Sequence, residues 1–190
     1  MSKLTSHVEQ IAEDRRTVHK YLRSDIDPEL ITRALGAALL APNHRQTNPW
    51  QFVVVGRSTR AELAERVFEL KKLRSPDVGE EQRQAGLESF VNPAGLVVFA
   101  QLRATNEFQS REDYATICCS IQNFSLCLAE WGFGTKWSTA AFITDPQVYQ
   151  ILGLDSEQVE IVGFVWLGHA AGPLAEQHRP FLSDVLKVLP

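Results

Sequence analysis

The chain has 190 residues, 44% of them hydrophobic and 22% charged, the size and balance of one globular domain with a real core. Its net charge of −4 excludes the strongly basic surface that sequence-independent nucleic-acid binding requires, so no nucleic-acid partner is expected. No stretch approaches the ~20 consecutive apolar residues of a membrane-spanning helix. The opening MSKLTSHVEQIAEDRR has no apolar core of signal-peptide length, so a cytoplasmic location and no membrane partner are expected.

In chain order, Leu4 to Asp14 reads as a first helix with Val8, Ile11 and Ala12 on one face. Asp27-Pro28 predicts a helix start, Asp as N-cap and Pro in the first turn. Leu30, Ile31, Ala34, Leu35, Ala38 and Leu39 then recur at three- and four-residue spacing, and Pro42 ends the element. Gln51–Val55 reads as a strand closed by Gly56. An amphipathic helix is expected from Ser58 to about Leu73, with Leu63, Val67, Leu70 and Leu73 inward. The polar segment 74–92 is expected to be mobile, with a short helix inside, and is the best candidate for a substrate-side lid. Gly95–Leu102 is a second apolar run of strand length. The longest helix is predicted from about Arg111 to Trp131. Ala115, Ile117, Cys118, Ile121, Phe124 and Leu128 make it apolar on more than one face, as a central buried helix would be. A glycine-punctuated loop, GFGTKWSTAAF, follows it. Asp145-Pro146 opens a short helix that Gly153 ends, and Glu160–Leu167 is a third strand. The tail reads as loop and a last short apolar segment. Helices and strands mix without a βαβ rhythm, which favours an α+β fold.

The three cysteines, Cys118, Cys119 and Cys127, fall in a helical pattern and are odd in number, so reduced core thiols are expected rather than disulfides. No CxxC or HExxH spacing occurs, and no metal site is expected. No Ser-His-Asp order stands out, and no catalytic residue can be named. Three stretches remain. RRTVHKY places Arg15, Arg16 and Thr17 at a helix end. The guanidinium groups either complement the negative pole of the helix or clamp a phosphate, with a threonine hydroxyl as a further donor. The run Asn43, His44, Arg45, Gln46, Thr47 and Asn48 between two prolines is either a solvated connection or a set of donors and acceptors for a heteroaromatic edge, with Trp50 anchoring its exit. GFGTKWSTA is either a helix C-cap and turn, or a backbone passing close to a ligand that Trp137, Ser138 and Thr139 line.

Taken in order, these pieces resemble the nitroreductase family of FMN-dependent oxidoreductases. The resemblance runs through RRTVH, APNHRQTNPWQF, SIQNFSLCLAEWGFGTKW, EIVGFVWLG and RPFL, and so covers nearly the whole chain. PNH and KWST are most similar to the small subgroup that carries the name putative NAD(P)H nitroreductase. The resemblance implies one FMN-binding domain over residues 1–190, with a central, mostly antiparallel sheet flanked by helices. It also implies an intertwined homodimer with two FMN molecules at the subunit interface. By motif, Arg15 and Thr17 would bind the flavin phosphate or ribityl chain, and Arg16 would lie near the ring or ribityl side. His44 and Gln46 would reach in from the other subunit. Trp137, Ser138 and Thr139 would follow the ring edge with backbone donors, and Arg179 would be a second phosphate contact. NADH or NADPH would deliver hydride to flavin N5, and a nitroaromatic, quinone or similar electron-poor small molecule would then be reduced, in a ping-pong cycle.

Four positions depart from the family pattern. Thr17 replaces the usual serine and keeps its hydroxyl. His19 replaces the usual arginine or lysine near the flavin pyrimidine. Asn43 and Gln46 stand where an S-x-x-N pattern is common. The same fold could instead serve enone or enamide reduction, dehydrogenation or flavin destruction, or bind flavin without turnover.

Overall fold

The computed structural model describes residues 6–190. Helix α1 (His7–Asp14) opens with a capping box: Ser6 Oγ accepts from the Glu9 amide (3.2 Å) and Glu9 Oε2 accepts from the Ser6 amide (2.6 Å). Its expected start at Leu4 lies outside the described residues. Asp27 Oδ1 accepts from the Glu29 amide (2.9 Å) and caps α2 (Pro28–Ala38), as Asp-Pro predicts. Then follow β1 (Trp50–Val54), α3 (Arg57–Arg74), α4 (Glu80–Val91), β2 (Gly95–Leu102), α5 (Glu107–Glu130), β3 (Gly134–Ser138), α6 (Pro146–Leu152), β4 (Val159–Gly168) and α7 (Leu182–Val185).

The strands form one antiparallel sheet in the order β1-β2-β4-β3, so the fold is α+β as expected. Helices cover both faces. On one side α3, α4 and α6 pack Leu63, Phe90 and Tyr149 against Leu96, Val98, Phe164 and Trp166. On the other, α2 and α5 pack Ile31, Ala34, Ile117 and Phe124 against Val97, Phe99, Val165 and Leu167. Both central strands are therefore buried on both faces, which is why β2 and β4 read as unbroken apolar runs rather than alternating ones. Burying a side chain such as Phe99 or Phe124 contributes about 1.5–3 kcal/mol.

The register between β2 and β4 shifts at Phe99/Ala100, where Phe99 opposes Gly163 and Ala100 opposes Ile161. The extra residue reverses the alternation of β4. Val159 and Ile161 face the α3 side before the shift, and Phe164 and Trp166 face it afterwards. Trp137 closes over this point, its Nε1 donating to Val162 O (3.4 Å), and a Cβ on Gly163 would overlap the indole.

Several boundaries differ from expectation. GFGTKWS is an edge strand, not a loop, because residues 134–138 pair with 164–168 of β4. Helix α5 starts four residues before Arg111, where Asn106 Oδ1 accepts from the Gln109 amide (2.9 Å). It buries one face only: Thr116, Ile117, Ser120 and Phe124 are covered, while Tyr114, Ala115 and Cys119 are exposed. Leu73 was expected inward but is 79% exposed at the end of α3. Within 74–92, α4 is anchored. Phe90 joins the core, and Arg83 binds both carboxylate oxygens of Glu65 (2.5 and 2.8 Å). The cysteines are free, and burial raises the Cys127 thiol above its ordinary range. No helix of the described residues is long and apolar enough to cross a membrane.

Candidate functional site

The segment leaving α1 organises one half of the site. Thr17 bridges to Thr135 in parallel, and the Val18 amide donates to Thr135 O (3.0 Å). Val18 is 1% exposed and fills the space above Gly134, where any Cβ would overlap its Cγ2. Farther on, the Leu22 amide donates to His169 O and the Ala171 amide to Lys20 O, both at 2.9 Å. The segment is thus held between β3 and the start of the tail. With Val18 inward, Thr17 and His19 take the opposite side of the extended backbone.

Three cavities adjoin along this segment. The first, about 600 Å³, is lined by Arg15, Arg16 and Arg179 together with Glu9, Glu13 and Gln177. The second, about 350 Å³, lies between Thr17–Lys20 and the tail residues 170–175, and shares Gln177 with the first. The third, about 160 Å³, shares His19 with the second. Its walls are Tyr21, Phe90, Phe142 and Trp166, and Lys136 and Ser138 also line it. The order along the trough is therefore guanidinium cluster, hydroxyl and backbone groups, then an aromatic recess.

The electrostatics of the first cavity are lopsided. Among the described residues Arg15, Arg16 and Arg179 form no salt bridge with a carboxylate. Arg16 Nη1 donates to the carbonyls of Glu13 and Arg15, and Arg179 Nη2 donates to Gln177 Oε1 (2.5 Å). Burial, then the charges of Arg179 and Arg16, hold the Arg15 guanidinium below its ordinary range. An anion between them would offset the like-charge part of that penalty.

His44 and Gln46 lie elsewhere. Their loop carries three non-glycine residues in the left-handed region, Arg45 (φ 57°), Gln46 (φ 52°) and Asn48 (φ 50°). It is tied down by the Thr47 hydroxyl donating to buried Asp113 Oδ1 (2.6 Å), and by Asn43 Nδ2 donating to Asn48 Oδ1 (3.0 Å). Trp50 anchors the exit, its Nε1 donating to Ser120 Oγ (2.6 Å). The side chains of His44 and Gln46 stay exposed, with His44 Nδ1 3.9 Å from Glu112 Oε2. The loop feeds β1 at one sheet edge, whereas Thr17 and Trp137 belong to the β3 edge, about three strand spacings or ~14 Å away. One protomer thus lines the first cavity with Arg15, Arg16 and Arg179, the second with Thr17 and the third with Ser138, and leaves His44 and Gln46 apart. Trp137, 38% exposed, lies on the opposite face of β3 from Ser138, and neither it nor the exposed Thr139 lines the three cavities.

Sequence reasoning missed Lys136, Gln177 and the aromatic recess. The alternation in TKWS carries a signal for the first once those residues are a strand, since Lys136 and Ser138 then share a face. His169 Nδ1 lies 3.2 Å from Gly132 O and its ring stacks on Phe133, and His7 Nε2 lies 3.1 Å from Glu130 Oε2; neither histidine lines the three cavities.

A sequence model of the nitroreductase family matches residues 12–169. The protein named putative NAD(P)H nitroreductase YfhC in Bacillus subtilis (strain 168) is 32% identical over 160 residues, covering 80% of this chain and 79% of its own length. The crystal structure of a nitroreductase-like family protein from Bacillus cereus superposes with a TM-score of 0.80 at 23% identity, covering 100% of this chain and 98% of that one. A nitroreductase with bound FMN from Bacteroides fragilis superposes with a TM-score of 0.76 at 20% identity, covering 98% and 100%. The chain belongs to the nitroreductase family.

Proposed function

We propose that this chain is an FMN-dependent oxidoreductase that draws electrons from NADH or NADPH and reduces nitroaromatics, quinones or similar electron-poor small molecules, working as a homodimer. The observation that carries the reading is the order of the trough. A cationic cavity, a hydroxyl-bearing passage and an aromatic recess adjoin in the sequence phosphate, ribityl chain, ring. The donor set fits the group. Guanidinium groups with no carboxylate partner suit a phosphate dianion, and a mixed polar and aromatic recess suits a heteroaromatic edge. The name of the Bacillus subtilis relative and the FMN of the Bacteroides fragilis neighbour agree with it.

In this reading Arg15 and Arg179 hold the phosphate, Arg16 adds a third positive charge, and the Thr17 hydroxyl meets the ribityl chain. Backbone groups of Ser138 and Thr139 follow the ring edge, with Trp137 beside them. When bound, FMN supplies hydride transfer at N5, accepting from the nicotinamide and giving to the acceptor in a ping-pong cycle. The chain then needs no nucleophile of its own, and its task is to bind, orient and exclude water. His44 and Gln46 complete the site from a second copy. The surface supports such pairing. Leu40 is 81% exposed, as are Phe181 at 79% and Val188 at 78%, and Tyr114 lies exposed on the open face of α5.

The test is FMN uptake by the purified chain, followed by NADH and NADPH oxidation with a nitroaromatic or a quinone. Yellow protein that turns over either donor only when an acceptor is present is expected. Colourless protein that takes up no FMN contradicts the reading.

A further inference from the structure

Strand β3 ends beside a defect in β4. Its ladder stops at the Ser138–Phe164 pair. Immediately before Phe164, Gly163 opposes Phe99 while Ile161 opposes Ala100, which leaves Val162 over as the extra residue of the bulge. Ile161 and Phe164 face the α3 side, whereas Val162 faces the α5 side. Trp137 pairs with Val165, another α5-side residue, and so shares that face. Its indole fills the space that a side chain at Gly163 would take, since a Cβ there would overlap Nε1. Nε1 in turn donates to the carbonyl of Val162 (3.4 Å). Within the reading that sets the Ser138 and Thr139 backbone against the flavin ring edge, we infer that Trp137 is a positioning residue rather than a cofactor contact. Seated on the Val162–Gly163 bulge, the indole fixes the end of β3 and thereby the backbone that meets the ring.

The indole is turned away from the trough. Trp137 lines none of its three cavities, while Ser138, next in the chain, lines the aromatic recess. Strand β3 is a sheet edge held by β4 alone, and the last pair of such a ladder opens first. Thr139 and Ala140, just beyond that pair, belong to no strand. Trp137 stands one residue before it, so its contact acts where the ladder is weakest. The two groups that meet there complement each other. A bulge interrupts the ladder and leaves a carbonyl in need of a donor, and an indole N–H can only donate. Gly163 completes the seat. It is not one of the glycines with positive φ, so space for the indole, and not backbone conformation, requires glycine there.

Two variants break the seat from opposite sides. Trp137→Phe keeps an aromatic ring and removes the N–H, whereas Gly163→Ala keeps the indole and expels it. FMN dissociation constants are measured for the wild type, both variants and the double variant, at a temperature where each free protein is folded. Bound-flavin fluorescence and hydrogen exchange of the free proteins are taken in parallel. Each single variant is expected to bind FMN about 3- to 10-fold more weakly, the scale of one hydrogen bond. The double variant is expected to bind no more weakly than the weaker single one, because both act on one seat. The amides of residues 138–140 are expected to exchange faster in the free variants, with the β2–β4 ladder at wild-type rates. Bound-flavin fluorescence is expected to stay at the wild-type level in Trp137→Phe. An indole touching the ring quenches that fluorescence, so brightening in Trp137→Phe overturns the inference in favour of a direct contact. Wild-type FMN affinity in Trp137→Phe overturns it, as do losses that add in the double variant. Faster exchange along the whole of β4 also overturns it, by making the indole a support of the sheet at large. If Gly163→Ala does not fold, affinity, fluorescence and exchange of Trp137→Phe decide the assignment alone. Failure of the wild type itself to bind FMN would instead overturn the reading on which this inference rests.

Discussion

Replacing Arg15 by alanine removes one of three guanidinium groups around the cationic cavity and leaves Arg16 and Arg179 in place. A hydrogen bond between charged partners contributes about 1.5–3 kcal/mol net, so the FMN dissociation constant should rise about 10- to 150-fold. The free protein should respond differently. Arg15 is held below the ordinary guanidinium range by burial and by its two like-charged neighbours, so its removal relieves a repulsion rather than breaking a pair. At an FMN concentration of 100 wild-type dissociation constants the ligand adds about 2.7 kcal/mol to wild-type stability. A variant bound 100-fold more weakly gains only about 0.4 kcal/mol. Thermal unfolding with and without FMN, with a flavin fluorescence titration, measures both quantities. Unchanged melting of the free variant with a collapsed FMN shift is the expected pair of results. Affinity within about twofold of wild type would refute the phosphate assignment. A free variant that melts several degrees lower would assign Arg15 to the fold instead.

Gly134→Ala drives a Cβ into Val18 and should cost about 1–3 kcal/mol in denaturant unfolding, with weaker FMN binding because Thr17 shifts alongside. Thr47→Val cuts the tether from the left-handed loop to Asp113 and leaves a buried carboxylate oxygen without its donor, at about 1–3 kcal/mol. It should weaken FMN binding although Thr47 lines no part of the trough, and chemical denaturation with an FMN titration checks both. Hydrogen bonds from Arg66 hold the Asp145 carboxyl below its ordinary range, aided by the Val148 and Gln147 amides at the start of α6. Its stabilisation is therefore complete above the unfolded value near ~4 and is lost as pH falls through the depressed folded value. Urea unfolding between pH 2 and 6 should show a low-pH loss that is smaller in Asp145→Asn.

Much of the fold could be read in the sequence, because its signals are local. Asp27-Pro28 and Asp145-Pro146 mark helix starts through a side chain and a fixed φ that act within one turn. The apolar runs Leu96–Ala100 of β2 and Ile161–Leu167 of β4 are legible because burial on both faces leaves no polar side chain within them. Strand β3 was not legible. Gly134 answers to Val18, more than a hundred positions away in the chain, and Lys136 sits on an edge strand where a polar side chain is unremarkable. The open face of α5 was misread because alanine and cysteine carry the same apolar signal whether a second element covers them or not. In the site, the arginines and the polar loop stand out as residue types. Their separation across the sheet depends on strand order, which no single stretch encodes.

The central claim is that each FMN site joins Arg15 of one chain to the His44–Gln46 loop of another. Subunit mixing tests it most directly. Arg15→Ala chains and His44→Ala/Gln46→Ala chains, each impaired in FMN binding, are unfolded together, refolded, and titrated with FMN. Mixed pairs in this account regain one undamaged site, so tight FMN binding should return to a fraction of the mixture although neither parent shows it. A mixture that binds FMN no better than the average of its parents would place the whole site within a single chain and contradict the account.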